Sequence, residues 1–161
     1  MTEPKLPLLT RHFSLAELTV TNTGLDNWPS DVIRARLRQL AQYLEQVRER
    51  CGGRALIITS GYRSTAVNRA VGGSPTSAHL KGYAADIRIH RGLDSDLIGA
   101  IRSVGGFDQL IYEPSRGIVH VSIDPRQRGQ VKTLTARGYV NGIDNWGWHR
   151  DGGRKPPSPS R

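Results

Sequence analysis

The chain has 161 residues, enough for one domain with a substantial core. Hydrophobic residues make up 37% of it and glycine occupies 18 positions, which favours an irregular α+β fold over a helical bundle. No run reaches the roughly 18 apolar residues of a membrane span, and the N-terminus lacks a signal-peptide pattern. We therefore expect a protein made in the cytoplasm without a signal peptide or membrane insertion. The single cysteine, Cys51, excludes an internal disulfide and a cysteine-based metal site.

The net charge of +9 is concentrated towards the C-terminus. Residues 1–125 carry 15 basic and 12 acidic side chains, whereas residues 126–161 carry 8 basic and 2 acidic ones. This excess favours a polyanionic surface such as cell wall, nucleic acid or anionic membrane, and a solvated tail without a partner fits nearly as well. We predict one domain over 1–136 and a Gly-rich, basic, flexible tail over 137–161.

The periodicity of the chain predicts helices alternating with short strands. The clearest element is a helix over 31–50, where Ser30 is a suitable N-cap and apolar residues recur at spacings of three and four. The other predicted elements are a helical turn at 14–18, helices at 65–71 and 93–104, strands at 55–59, 84–90, 107–112 and 118–123, and a candidate last strand in QVKTLTA. This pattern indicates a single antiparallel or mixed sheet covered on one side.

Three side chains form a candidate metal site. Two histidines and one carboxylate, His79, Asp86 and His120, match the ligand set of a catalytic zinc ion with one position open for water. Asp86 and His120 alternate with the apolar residues of their strands, so both can face one cleft, and His79 reaches it from the preceding loop. His90 shares the face of Asp86, but four residues of strand place it roughly 13 Å away, which excludes it from the site.

Several motifs occur in an order that resembles a known family. They are Ser60-Gly61-Tyr62-Arg63-Ser64, Asn68, Ser77-x-His79-x-x-Gly82-x-Ala84-x-Asp86, the FDQLI of 107–111 and the VHVS of 119–122. Together they resemble the M15 family of zinc D,D-/L,D-peptidases, and they are most similar to its small phage and prophage branch. The resemblance spans about residues 12–136, and the combination in this order is more specific than any single motif.

The resemblance implies a peptidoglycan hydrolase with the Hedgehog/D-Ala-D-Ala peptidase fold, a central, mostly antiparallel sheet with flanking helices. It implies that His79, Asp86 and His120 bind Zn²⁺. It also implies that Arg63 binds substrate and steadies the oxyanion of the reaction, a role that suits a guanidinium. Two further residues would line the cleft, Tyr62 and Ser77. A phage lysis protein or a virion component acting on the cell wall would fit such a chain.

The general base is the point at which this sequence departs from the family pattern. Many members carry an acid three residues before the last histidine, where this chain has Gly117. The nearest acids are Glu113 and Asp108, which face opposite ways on a regular strand because they are five residues apart. We predict Glu113 as the base, since a turn over 114–117 brings it alongside His120. Asp108 is then structural or a substrate contact.

Two other functions are open at this stage. Because of Gly117, the domain could instead be a catalytically weak, zinc-stabilised module that binds cell wall or serves as a virion component. Nucleic-acid binding through the basic tail ranks last, because the core shows no aromatic and basic reading surface, so we expect no nucleic-acid partner. We also expect a monomer. The residues do not distinguish D-Ala-D-Ala carboxypeptidase, L-Ala-D-Glu endopeptidase and cross-bridge endopeptidase activity, nor do they prove zinc over another divalent ion.

Overall fold

The computed structural model describes residues 7–144. The helices are α1 (Leu15–Leu18), α2 (Asp31–Arg50), α3 (Thr65–Ala70) and α4 (Asp94–Val104), with one 3-10 helix at Ala78–Lys81. The strands are β1 (Leu56–Ser60), β2 (Ala84–Ile89), β3 (Gln109–Glu113), β4 (Ile118–Ser122), β5 (Gln130–Thr135) and β6 (Gly138–Asn141). The predicted helix over 31–50 is confirmed. The ends of the other predicted helices and strands differ from the observed ends by at most two residues.

Side-chain caps explain where the first helices begin. The hydroxyl of Ser14 accepts a hydrogen bond from the backbone N–H of Glu17, and the carboxylate of Glu17 accepts one from the backbone N–H of Ser14. This capping box satisfies two backbone donors at the start of α1. Ser30 caps α2 in a similar way by accepting from the N–H of Ile33. These local bonds fix the residues at which α1 and α2 begin.

The six strands form one mixed sheet in the order β1-β2-β4-β3-β5-β6. All neighbouring pairs are antiparallel except β3 and β5, which run parallel. The fold is therefore α+β with a mostly antiparallel sheet, as the sequence predicted. The parallel pair arises because the chain leaves β4 at Ser122 and crosses past β3 before β5 begins.

The two faces of the sheet have different partners. Helices α2 and α4 cover one face, where they bury the apolar residues of the strands in a common core. Core residues such as Ile87 and Val119 alternate along β2 and β4 with Asp86 and His120, which point to the opposite face. The helix-covered face thus supplies stability, and the opposite face can carry polar chemistry. In the part of the chain that the structure describes, no helix combines the length and apolarity needed to cross a bilayer.

The sheet extends past the predicted end of the domain. We predicted a flexible tail from residue 137 onwards, but β6 occupies Gly138–Asn141 and pairs with β5. Ile143 beyond it is buried against the core, with 8% of its surface exposed. In this hairpin Leu134 of β5 pairs with Tyr139 of β6. The apolar residues of β6 alternate too weakly for the sequence to predict a strand there. The remainder of the predicted tail lies outside the described residues.

Candidate metal centre

The sheet register brings the predicted ligands together. Asp86 on β2 pairs directly with His120 on β4, so both side chains leave the sheet on the same face. His79 lies on the 3-10 helix, which contacts β2. Gly82 ends that helix with φ +77°, a left-handed conformation that glycine adopts without strain and that turns the chain back into β2. The donor atoms of these three side chains all lie within 4.8 Å of one another.

The distances between the donor atoms fit a single divalent ion. The Nε2 of His79 lies 3.2 Å from the Oδ1 of Asp86 and 3.2 Å from the Nδ1 of His120. The Nδ1 of His120 lies 2.9 Å from the same Asp86 oxygen. Ligands bound tetrahedrally to Zn²⁺ at about 2.0–2.1 Å are separated by roughly 3.3 Å, close to the spacing observed. One face of such a triangle is left for water or substrate.

The protonation of His79 supports the same conclusion. Its Nδ1 lies 2.7 Å from the backbone carbonyl oxygen of Gly61, which can only accept, so Nδ1 carries the proton. Burial lowers the pKa of His79, which favours the neutral ring with a free lone pair on Nε2. Burial raises the pKa of Asp86, but contacts with His79 and His120 outweigh it and hold that pKa well below its usual value. The contact between His79 Nε2 and Asp86 Oδ1 therefore joins two acceptors, an arrangement that a cation stabilises.

Arg63 supports the second oxygen of Asp86. Its Nη2 donates to Oδ2 of Asp86 at 3.2 Å, while its Nε donates to the hydroxyl of Ser60 at 3.0 Å. Ser60 in turn pairs with Asp86 in the sheet. The guanidinium thus orients the carboxylate so that Oδ1 faces the two histidines. Its side chain remains 16% exposed at the wall of the cleft, where substrate can reach it.

Two glycines permit these close contacts. A Cβ at Gly61 would lie 2.3 Å from the carbonyl oxygen of Leu18, so only glycine lets this segment pass α1. A Cβ at Gly73 would lie 2.1 Å from Oδ1 of Asn68 and 3.2 Å from Nη1 of Arg63. The motif around Arg63 therefore depends on backbone packing as well as on its charged side chain.

The centre opens into a cleft of about 490 Å³. Glu113 lines this cleft together with the three candidate ligands. Ile111 pairs with His120, and Glu113 lies two residues further along the same face of β3. Such diagonal neighbours are roughly 7–8 Å apart at the backbone, within reach of a long side chain. Glu113 is 22% exposed and forms an ion pair of 3.5 Å with Arg116.

The structure explains the glycine at position 117. Gly117 has φ +60° and its N–H donates to the carbonyl of Pro114, which closes the turn between β3 and β4. A side chain at this position would strain the turn. The turn keeps Glu113 next to β4, so an acid reaches the cleft from β3 instead.

Asp108, the other acid considered, is placed differently. Its side chain is fully buried, and the structure does not place it among the residues lining the cleft. It accepts two hydrogen bonds from the guanidinium of Arg128, at 3.0 and 2.7 Å, and one from the hydroxyl of Ser122 at 3.1 Å. Burial raises the pKa of Asp108, but the bonds from Arg128 outweigh it and bring the pKa to about 2. This geometry corresponds to the structural alternative and does not support direct substrate contact.

Of the remaining residues considered for the site, one lines the cleft and two lie away from it. Ser77 lines the cleft, and its hydroxyl accepts from the backbone N–H of His79 at 3.3 Å. Tyr62 packs against the hydrophobic core, and it is not among the described residues that line the cleft. Its position therefore does not support the predicted cleft role. His90 is exposed beyond the end of β2, away from the candidate centre.

Sequence reasoning missed the basic residues on the far wall of the cleft. Arg126, Arg128 and Lys132 line it, although we treated them as part of a C-terminal excess of charge. The sequence offers a signal for Lys132 alone. Side chains alternate between the two faces along β5, and the residue that pairs with Ile111 faces the cleft. That signal requires the parallel pairing of β3 with β5, which the sequence does not reveal.

An α+β fold whose sheet brings two histidines and an aspartate to one cleft defines a candidate metal-dependent hydrolase. The family model for Peptidase M15 matches residues 11–122, about 70% of the chain. The chain therefore belongs to the Peptidase M15 family. A search of curated proteins found no match. The matched segment contains all three candidate ligands, Arg63 and Glu113, and it ends with β4.

Proposed function

We propose that this protein is a zinc-dependent peptidase that hydrolyses an amide bond in a peptidoglycan stem peptide or cross-bridge. The observation that carries the proposal is the convergence of His79, Asp86 and His120 in one cleft of an M15 chain, with Glu113 facing the same space. When bound, Zn²⁺ lowers the pKa of a water molecule and polarises the substrate carbonyl. The chain's own residues supply positioning and proton transfer.

Glu113 acts as the general base. Its position on β3, diagonal to His120, lets the carboxylate accept a proton from the attacking water. It then passes this proton to the nitrogen of the leaving amine as the amide bond breaks. Arg116, 3.5 Å from Glu113, forms an ion pair with this carboxylate at the edge of the cleft.

Arg63 has two tasks in this proposal. Through Nη2 it holds Asp86 in the orientation that binds the ion, and its partly exposed guanidinium at the cleft wall is available to stabilise negative charge on the substrate carbonyl oxygen. A preorganised cation at that point stabilises the transition state more than the ground state. Arg63→Lys is expected to keep charge but lose the two-point contact with Ser60 and Asp86.

The test is cleavage of purified peptidoglycan sacculi by the full chain, with the released peptides identified by mass spectrometry. The wild type is expected to cleave with added Zn²⁺ and to stop when the ion is chelated. Glu113→Gln is expected to reduce the rate by about 10²–10⁴-fold while leaving the bound zinc unchanged. The matched control is Glu49→Gln, since Glu49 is exposed on α2 away from the cleft. A Glu113→Gln protein as active as wild type would refute the assignment of the base.

A catalytically weak, cell-wall-binding or virion structural module is the alternative, and the same assay separates the two. A chain that binds zinc and sediments with sacculi but releases no peptide at any zinc concentration would support the module. The motif similarity to the phage and prophage branch motivates one further part of the proposal, a role as a lysis protein or virion component acting on the cell wall. Electron microscopy or mass spectrometry of purified virions would test whether the protein is a virion component.

A further inference from the structure

The far wall of the cleft is formed by residues that follow the family match. The match ends at residue 122, whereas Arg126, Arg128 and Lys132 belong to the segment between β4 and β6. All three line the cleft that contains the candidate metal centre. We call these three residues the basic wall. Its position places positive charge opposite the three candidate ligands in the same cleft.

Buried carboxylates hold the two arginines of the basic wall in place. Asp108 binds the Nε and Nη2 edge of Arg128, and Asp124 accepts from Nη2 of Arg126 at 3.1 Å. Both acids are almost fully buried, with 0% and 1% exposure, whereas the arginine side chains are 31% and 33% exposed. The acids are therefore behind the wall and the guanidinium groups in front of it, so ligand can reach the cations and not the anions.

Contacts across the cleft add to this rigidity. Arg126 also donates from Nη2 to the carbonyl oxygen of Thr76 at 3.2 Å, which links the wall to the loop before His79. Lys132 has its ammonium 5.9 Å from the centroid of the Tyr139 ring. Within residues 7–144 the structure shows no ion pair for Lys132. Its charge is thus available to a ligand.

The sheet register sets the distance from the wall to the metal centre. Ile111 pairs with His120 on one side and with Lys132 on the other, so the three residues form one row across the sheet. Two strand spacings of about 4.8 Å separate the backbones of Lys132 and His120, roughly 10 Å in all. Extended peptide covers about 3.3–3.6 Å per residue, so this span corresponds to about three residues.

The charge of the lining selects the kind of ligand. The cleft is lined by five basic residues, Arg63, Arg116, Arg126, Arg128 and Lys132. Its acidic lining residues are Asp86, which faces the two histidines, and Glu113. Guanidinium groups with one edge fixed and another exposed are suited to binding a carboxylate.

We propose that the basic wall is a subsite for a carboxylate located about three residues or fewer from the scissile amide. This proposal rests on the proposed peptidase function and deepens it, because it makes free acid groups of the stem peptide determinants of specificity. Amidation of that carboxylate in the substrate would remove the charge that the wall recognises. The subsite would therefore distinguish amidated from non-amidated peptidoglycan.

The test is equilibrium binding of the stem tetrapeptide to the zinc-loaded Glu113→Gln protein by calorimetry. Four peptides are compared: the free acid and three versions amidated singly at the glutamate, at the diamino acid or at the C-terminus. One amidation is expected to weaken binding at least about ten-fold, as loss of a charge-assisted hydrogen bond does. The position of the sensitive amide identifies which carboxylate the wall holds.

Substitutions then assign the effect to the wall. Lys132→Gln and Arg128→Gln are expected to remove most of the preference for the free acid, whereas Arg128→Lys retains part of it. Arg38→Gln is the control, because Arg38 is exposed on α2 outside the cleft, and it is expected to bind like the unsubstituted protein. Lys132→Gln keeps the test valid if Arg128→Gln does not fold, since Lys132 has no buried partner in the described structure.

Each result has one meaning. Equal affinity for all four peptides, no binding of any of them, or an unchanged preference in Lys132→Gln would overturn the subsite. Absence of sacculus cleavage by the wild type, together with a preference for the free acid that Lys132→Gln removes, would instead refute the peptidase while leaving the subsite standing. Cleavage without any such preference would leave the peptidase and refute the subsite.

Discussion

Replacing Asp108 by asparagine decides whether this acid is structural or contacts substrate. The side chain is fully buried and accepts hydrogen bonds from Arg128 and Ser122. Its pKa is about 2 in the folded chain against an ordinary value of 3.8. A pKa lowered by this amount corresponds to about 2 kcal/mol in favour of the folded state at neutral pH. Asp108→Asn should therefore lower the free energy of unfolding by about 2 kcal/mol at pH 7.

The pH dependence of this loss has a defined sign. Because the folded pKa lies below the unfolded one, the stabilisation is complete above about pH 5 and disappears as the pH falls towards 2. Roughly half of it remains at pH 3 and less than a fifth at pH 2. The difference in stability between wild type and Asp108→Asn should therefore narrow steadily below pH 5, while other titrating groups affect both proteins alike.

Urea unfolding followed by circular dichroism at pH 7, 4, 3 and 2 measures this difference. The control is Asp31→Asn, since the Asp31 side chain is fully exposed at the start of α2. A constant difference between wild type and Asp108→Asn at all four pH values would refute the reasoning. Unchanged stability with a raised KM would instead assign Asp108 to the substrate.

Three further substitutions test backbone packing, metal ligation and a buried hydrogen bond. Gly61→Ala should lower stability by about 1–3 kcal/mol in urea unfolding, because its Cβ would lie 2.3 Å from the Leu18 carbonyl oxygen. Asp86→Asn should weaken Zn²⁺ binding, measured against a chelating dye, by more than the ~10–100-fold that loss of an outer partner costs. Tyr112→Phe removes a 2.9 Å hydrogen bond to the buried carboxylate of Asp94 and should cost about 1–3 kcal/mol of unfolding free energy in the same urea assay.

Each of these substitutions has a control on the same chain. Gly99→Ala, in α4 with open space around it, should stabilise the protein slightly, and a similar gain for Gly61→Ala would contradict the predicted clash. Asp31→Asn should bind zinc like wild type, and equal affinity for Asp86→Asn would exclude Asp86 as a ligand. Tyr139→Phe changes an exposed tyrosine and should be neutral, so an equally neutral Tyr112→Phe would show that the buried bond adds nothing.

Local patterns were sufficient where the determinants are close in sequence. The N-cap at Ser30 and the apolar spacing after it predicted α2, since both act within a few residues. Strand alternation around Asp86 and His120 predicted that both leave the sheet on the side away from the core. The register of β2 and β4 places them opposite each other, which agrees with that prediction.

Long-range pairing accounts for what the sequence did not show. Asp108 was open between two roles, because its partner Arg128 is twenty residues away and reaches it only through the crossing from β4 to β5. The resemblance implied a cleft position for Tyr62, yet this partly buried side chain packs against the core. In neither case does a short-range pattern carry the information, because the deciding contacts join segments distant in sequence.

The sequence by itself determined the kind of chemistry, through the residue types His79, Asp86 and His120 and the strand phase that aims two of them at one face. Only the tertiary structure decided how that chemistry is surrounded. The carbonyl of Gly61 selects the tautomer of His79, and the parallel pairing of β3 with β5 puts Lys132 in the row of His120. Strand phase is a local property of alternating side chains, whereas tautomer and neighbour depend on which backbone segments the whole fold brings into contact.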